Sequence, residues 1–134
     1  MKIPEGYQQV MPYLIVKGAA KFVDFMKKVF GGEEKMKVMR DENTIMHAEI
    51  RIGDSVIMLA DATSHFEPRP AGLFVYVEDA DETYHKAIAE GATSITPMSD
   101  QEYGRSGGVT DPFGNVWWPT TPPGKGIRRK DESD

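Results

Sequence analysis

The chain has 134 residues, with 16 Lys and Arg against 21 Asp and Glu, a formal net charge of -5 and no cysteine. Such a length buries roughly two-thirds of its unfolded surface, enough for one domain or two tightly fused halves, and the missing cysteine excludes disulfides, thiolate chemistry and cysteine-held metals. Mild acidity without a basic, aromatic-interleaved stripe argues against nucleic acid, while the lack of a long apolar run or signal-peptide pattern gives the expectation of a cytoplasmic protein with no membrane partner.

Residues 1 to 8 are polar and read as loose. Val10 to Val16 reads as a buried strand. Ala19 to Phe30 reads as a helix, because Phe22, Phe25, Met26, Val29 and Phe30 recur at helical spacing. Gly31-Gly32 ends it, since glycine takes the left-handed conformation that helix ends favour. Lys35 to Met39 alternates charged and apolar residues as a half-buried strand does. After a turn at Glu42-Asn43, Ile45 to Ile52 alternates cleanly. That pattern places Met46, Ala48, Ile50 and Ile52 on a core face and His47, Glu49 and Arg51 on the other. Gly53-Asp54 makes a tight hairpin into Val56 to Ala60. Residues 62–71, with two prolines, form a linker.

The second half opens with a strand over Leu73 to Val77. Asp79 is an N-cap, and Glu82 three residues later completes a capping-box pattern. Ala80, Tyr84, Ala87 and Ile88 give the helix its apolar stripe, and Gly91 closes it. Thr93 to Thr96 is a short strand. Gln101 to Gly108 is either a loop or the irregular start of a strand. Asp111-Pro112-Phe113-Gly114-Asn115 is dense in turn formers and leads to a last strand, Val116 to Trp118. Residues 122–134 are rich in Pro, Gly and charge and read as a disordered tail.

The two halves repeat one another. Val16 and Val77 each precede a helix, Gly53 and Gly114 each sit in a hairpin, and both pairs stand 61 residues apart. Each half reads as strand, helix, then three strands: module one over about residues 9–61 and module two over about residues 72–120, within a single domain of residues 1–134. Sheets joined edge to edge would form one curved surface, with helices outside and an open cleft between the modules, where ligand sites commonly lie.

Several segments carry a closer resemblance. Pro12-Tyr13-Leu14-Ile15-Val16, Phe25 to Phe30-Gly31, His47-Ala48-Glu49-Ile50-Arg51-Ile52-Gly53-Asp54-Ser55, Val77-Glu78-Asp79-Ala80-Asp81 and Asp111-Pro112-Phe113-Gly114-Asn115-Val116-Trp117 resemble the vicinal oxygen chelate superfamily. That superfamily includes glyoxalase I, bleomycin-resistance proteins and extradiol dioxygenases; the chain is most similar to its small bacterial, phosphonate-operon-like branch. The resemblance implies an α+β fold of two βαβββ modules forming a curved mixed sheet around a cleft, and a homodimer. In metal-using members it implies one ligand from each of four strands, typically His or Gln, Glu, His and Glu. Those four positions fall here on Met11 (or Pro12), Met58 (or Ile57), Gly72 and Trp118. A thioether is a poor partner for hard divalent ions, and an indole donates but does not accept. No metal site and no cofactor is therefore expected.

His47 and Glu49 are the candidate proton carriers if there is catalysis. The candidate ligand-binding set is His47, Glu49, Arg51, Met58, Tyr76, Tyr103, Arg105 and Trp118. Arg105 offers a two-pronged grip on an anion, Met58 a soft lining, and the aromatic side chains a wall for a flat partner. The plainer alternatives are a solvated strand face for His47, Glu49 and Arg51, a surface loop for Tyr103 and Arg105, and ordinary packing for the rest. The expected function is that of a glyoxalase/bleomycin-resistance-like protein without the usual metal ligands, binding a small apolar or aromatic molecule in the cleft between the modules. The alternative is a lyase, isomerase or dioxygenase of the same superfamily with a rearranged active site.

Overall fold

The computed structural model describes residues 1–124; of the tail expected over residues 122–134, everything from residue 125 on lies outside the described residues. The elements in order are β1 (Tyr13–Val16), α1 (Ala19–Phe30), β2 (Glu33–Met39), β3 (Ile45–Ile52), β4 (Ser55–Asp61), β5 (Gly72–Tyr76), α2 (Ala80–Ala89), β6 (Thr93–Gln101), β7 (Gly104–Thr110) and β8 (Val116–Thr121). The described residues divide into two compact units, one ending at Ala71 and the other beginning at Gly72. Each is a βαβββ module with its own four-stranded mixed sheet, so the α+β class and the duplication both hold.

In the first unit the strand order is β1-β4-β3-β2, with β1 parallel to β4 and the other pairs antiparallel. Helix α1 buries Phe22, Phe25, Met26 and Val29, the stripe its spacing predicts. Gly31 takes φ 68°, which lets the Gly32 amide reach back to the Met26 carbonyl at 3.1 Å. Alternation then sends Leu14, Val16, Ala48, Ile50, Ile57 and Leu59 to the buried side of the sheet.

Two expectations need correction here. Met46 is not a core residue: it is 44% exposed, and Ile45 is buried in its place. The β2–β3 ladder pairs Val38 with His47 but Met39 with Ile45, so Met46 is the extra residue of a β-bulge. The first strand begins at Tyr13 rather than Val10, which is exposed; Pro12 interrupts it, having no N–H to give to a ladder.

The second unit has the order β5-β8-β7-β6. Asp79 caps α2 by accepting from the Glu82 amide at 3.1 Å. The Glu82 carboxylate instead pairs with Lys86 at 2.9 Å, which leaves the capping box half made. The buried stripe is Ala80, Thr83 and Ala87. Ile88, expected in that stripe, is exposed one step further round the helix, and the half-buried Tyr84 gives its hydroxyl to Ser94 at 2.5 Å. The stretch of uncertain character from Gln101 to Gly108 is a strand end, a turn at residues 102–103, and the start of β7.

Both units anchor the helix start in the same way, which the sequence reading missed. The last residue of β4, buried Asp61, accepts from the Ala19 amide at 2.9 Å and the Ile45 amide at 2.7 Å. The last residue of β8, Thr121, accepts from the Ala80 amide at 2.7 Å. A strand end thus satisfies an amide that a helix leaves orphaned. In the Asp111 to Asn115 turn, the buried Asp111 carboxylate accepts from the Phe113 and Asn115 amides, the Asn115 side chain and the Trp117 indole N–H, at 2.8 to 3.2 Å.

Candidate functional site

In the first unit, the sheet face away from α1 carries side chains from all four strands. Tyr13 on β1 lies opposite Met58 on β4, Met58 opposite Glu49 on β3, and Glu49 opposite Met36 on β2. His47 stands two residues from Glu49, on the same side, opposite Val38. A row of alternating polar and apolar groups therefore crosses this face.

The polar members form a chain of hydrogen bonds. Tyr13 Oη lies 3.1 Å from His47 Nδ1, with the two rings tilted at 5.5 Å between centroids. His47 Nε2 lies 2.8 Å from Glu49 Oε2. Tyr7 Oη donates to Glu49 Oε1 at 2.5 Å, and the Lys35 ammonium sits 3.8 Å from the centre of the Tyr7 ring. Glu49 is buried, and burial pushes its carboxyl up; the hydrogen bonds from Tyr7 and His47, with the His47 and Lys35 charges, outweigh this and hold it below the ordinary glutamate value. Both carboxylate oxygens are thus occupied by donors from inside the unit, while Tyr13 at the far end is 47% exposed. Met36 and Val38 are exposed on β2, opposite Glu49 and His47, and Met58 is half-buried between Tyr13 and Glu49.

Tyr7 is the residue that sequence reasoning missed. It belongs to a segment read as loose, and its contact spans 42 residues. The only local signal is an aromatic in a polar stretch.

The remaining candidates scatter. Arg51 shares the His47 and Glu49 side of β3 but pairs with Glu33 at 2.8 Å, away from the chain. Arg105 lies on the helix side of the second sheet, where its Nε and Nη2 hold both oxygens of Asp81 at 3.1 and 3.2 Å and Nη1 reaches Asp100 at 3.3 Å. That grip lowers the Asp81 pKa. On the opposite side of this sheet stand Phe74, Tyr76 and Trp118. The Phe74 ring lies 5.1 Å from Tyr76 and 6.2 Å from Tyr103, all three exposed. Trp118 is half-buried over Gly108, where an added Cβ would meet its ring at 2.5 Å, and Trp117 faces the core. A shallow groove near the end of this sheet is lined by Tyr76, Val77, Glu78, Thr121 and Pro122.

The metal that the fold family implies does not fit these side chains. Met58 on β4, Gly72 at the start of β5 and Trp118 on β8 supply no imidazole or carboxylate, and Met11 stands just before β1. His47 and Glu49 spend their facing atoms on each other. Among the described residues no three His, Asp or Glu side chains gather around one point, and a pair alone is an incomplete set.

Two βαβββ modules, each with its own four-stranded mixed sheet, define a class of proteins built on a duplicated half. Residues 6–118 match the Glyoxalase/Bleomycin resistance protein/Dioxygenase superfamily, and the chain belongs to it. An uncharacterised protein of Mycobacterium bovis is 32% identical over 118 residues, covering 79% of this chain and 78% of its own. The fold is similar to that of TioX from Micromonospora sp., with a TM-score of 0.71 at 22% identity over 87% of this chain and 99% of that one. It is also similar to a PhnB protein from Bacillus cereus, with a TM-score of 0.66 at 21% identity over 85% and 99%. No helix among the described residues is long and apolar enough to cross a membrane.

Proposed function

We propose that this chain is a small-molecule-binding member of its superfamily that takes an apolar or aromatic ligand on the open face of the first sheet, without a metal. The observation that carries this reading is the Tyr13–His47–Glu49–Tyr7 chain set among Met36, Val38 and Met58. It pairs one oriented polar group with an adaptable apolar surround, the usual composition of a ligand site. The exposed Phe74, Tyr76 and Tyr103 rings are the second unit's apolar surface and suit the same kind of ligand. A homodimer belongs to this reading as well.

Titration with 1-naphthol, followed by calorimetry, tests it. Saturable one-to-one binding is expected, and Met58→Glu should weaken it at least tenfold while the circular dichroism spectrum stays unchanged. No saturable binding, or equal binding in Met58→Glu, overturns the reading.

A second reading is favoured by the same chain: His47, backed by Glu49, would carry a proton in a lyase, isomerase or dioxygenase reaction. Its mark would be turnover that disappears in His47→Ala with folding intact.

A further inference from the structure

The hydrogens along the first-unit chain are not free to choose their direction. Resting on the binding role proposed above, we infer that Tyr13 Oη is the polar atom that meets the ligand, and that it meets it as an acceptor. The site would then select apolar or aromatic molecules that bring their own hydrogen-bond donor: a phenol, an alcohol or an N–H group. From this strand face the sequence reading named His47, Glu49 and Arg51 for the contact; the inference assigns it to the tyrosine that His47 and Glu49 orient.

The direction follows from the inner end outward. The Glu49 carboxylate has only acceptors to offer. Tyr7 Oη–H fills Oε1 at 2.5 Å. The nitrogen facing Oε2 at 2.8 Å must therefore be protonated, which places the hydrogen of a neutral His47 ring on Nε2. Nδ1 is left with a lone pair. Its neighbour at 3.1 Å is the Tyr13 hydroxyl, which must donate inward. A phenol has one hydrogen, and Tyr13 has now spent it. Its outward side, on a residue 47% exposed, presents lone pairs alone. A ligand acceptor placed there meets repulsion, and a ligand donor adds one bond to the run from Tyr13 through His47 to Glu49, in which each bond polarises the next. Tyr7, Glu49 and His47 act through Tyr13 and are positioning residues.

Two measurements test this, and they fail separately. Long-range nitrogen-proton correlation spectra of the free protein at neutral pH report the His47 tautomer without any ligand. The expected result is a protonated Nε2 and a bare Nδ1, with Glu49→Gln mixing the tautomers. A hydrogen on Nδ1, in either the other tautomer or the imidazolium, overturns the inference. The second measurement compares 1-naphthol with 1-methoxynaphthalene, which has the same rings but no donor. Wild type should favour the naphthol by at least tenfold, and Tyr13→Phe should reduce that preference to near unity while keeping the weaker affinity for both. Equal affinities in wild type overturn the inference but leave the binding role standing. If neither compound binds, the binding role falls, and the tautomer still decides the orientation of Tyr13.

Discussion

A carboxylate as buried as Glu49 persists in a sheet only when its charge is answered by donors, and here Tyr7 and His47 supply them. The sign of its pH dependence follows. Its pKa in the folded state lies below the ordinary 4.5, so it adds stability above the unfolded value and loses it as the pH falls through the folded one. Glu49→Gln should therefore be less stable than wild type at neutral pH, and the gap should shrink as acid is added below that ordinary value. Asp41 and Asp81, whose pKa values are lowered too, remain in both proteins and cancel from the difference. Chemical denaturation across pH would show it; a gap that widens in acid would refute the linkage. Asp111 is a second buried carboxylate, but its four bonds all serve its own turn and Trp117. Asp111→Ala strands donors that each cost about 1–3 kcal/mol when unsatisfied. The variant should melt far below wild type, with Asp111→Asn between the two.

Elements were readable in the sequence where one period dominates. The α1 helix was readable because Phe22, Phe25, Met26 and Val29 agree on one buried face. Asp79 announces α2 for a local reason, a side chain bonding an amide three residues on. What periodicity could not show is where the count changes. Met46 alternates correctly and still faces solvent, because a bulge inserts a residue without leaving a mark in the pattern. Half of the candidate site was readable for the same reason: His47 and Glu49 share a strand face by alternation alone. Tyr7 and the Tyr13 contact come from pairings 42 and 34 residues apart, which no local pattern encodes. Arg105 was singled out for its charge; the partner it has in the structure is a helix carboxylate that only the tertiary fold brings near. The Asp61 anchor belongs to this scale as well. Asp61→Ala leaves the Ala19 and Ile45 amides without their acceptor. A loss of about 2–4 kcal/mol in urea unfolding is expected, from two donors at 1–3 kcal/mol each with partial rescue by water; a loss under 1 kcal/mol would show that the anchor contributes little.

At the scale of the molecule the duplication has kept backbone and changed side chains. Tyr13 and Phe74 occupy matching positions 61 residues apart, and so do Ala19 and Ala80 at the two helix starts. One module carries a polar chain on its open face and the other a group of aromatic rings. The positions that the resemblance gives for metal ligands, Met11, Met58, Gly72 and Trp118, belong to both modules, so a metal test concerns the whole chain. Dialysis against a chelator should leave the thermal midpoint unchanged, and added manganese or zinc should not raise it. An ion bound at a hundred times its dissociation constant would add about 2.7 kcal/mol, an effect easily seen on a melting curve.

The paired tryptophans have a practical consequence. Trp117 is sealed inside with its indole N–H held by a carboxylate, while its neighbour Trp118 lies on the other side of the same strand, half open over Gly108. The native protein thus contains two fluorophores in adjacent positions with unlike surroundings. Iodide should quench Trp118 and spare Trp117, so a single emission spectrum separates events at the second sheet's surface from loss of its interior. Replacing either one with Phe would assign the two signals without any external label.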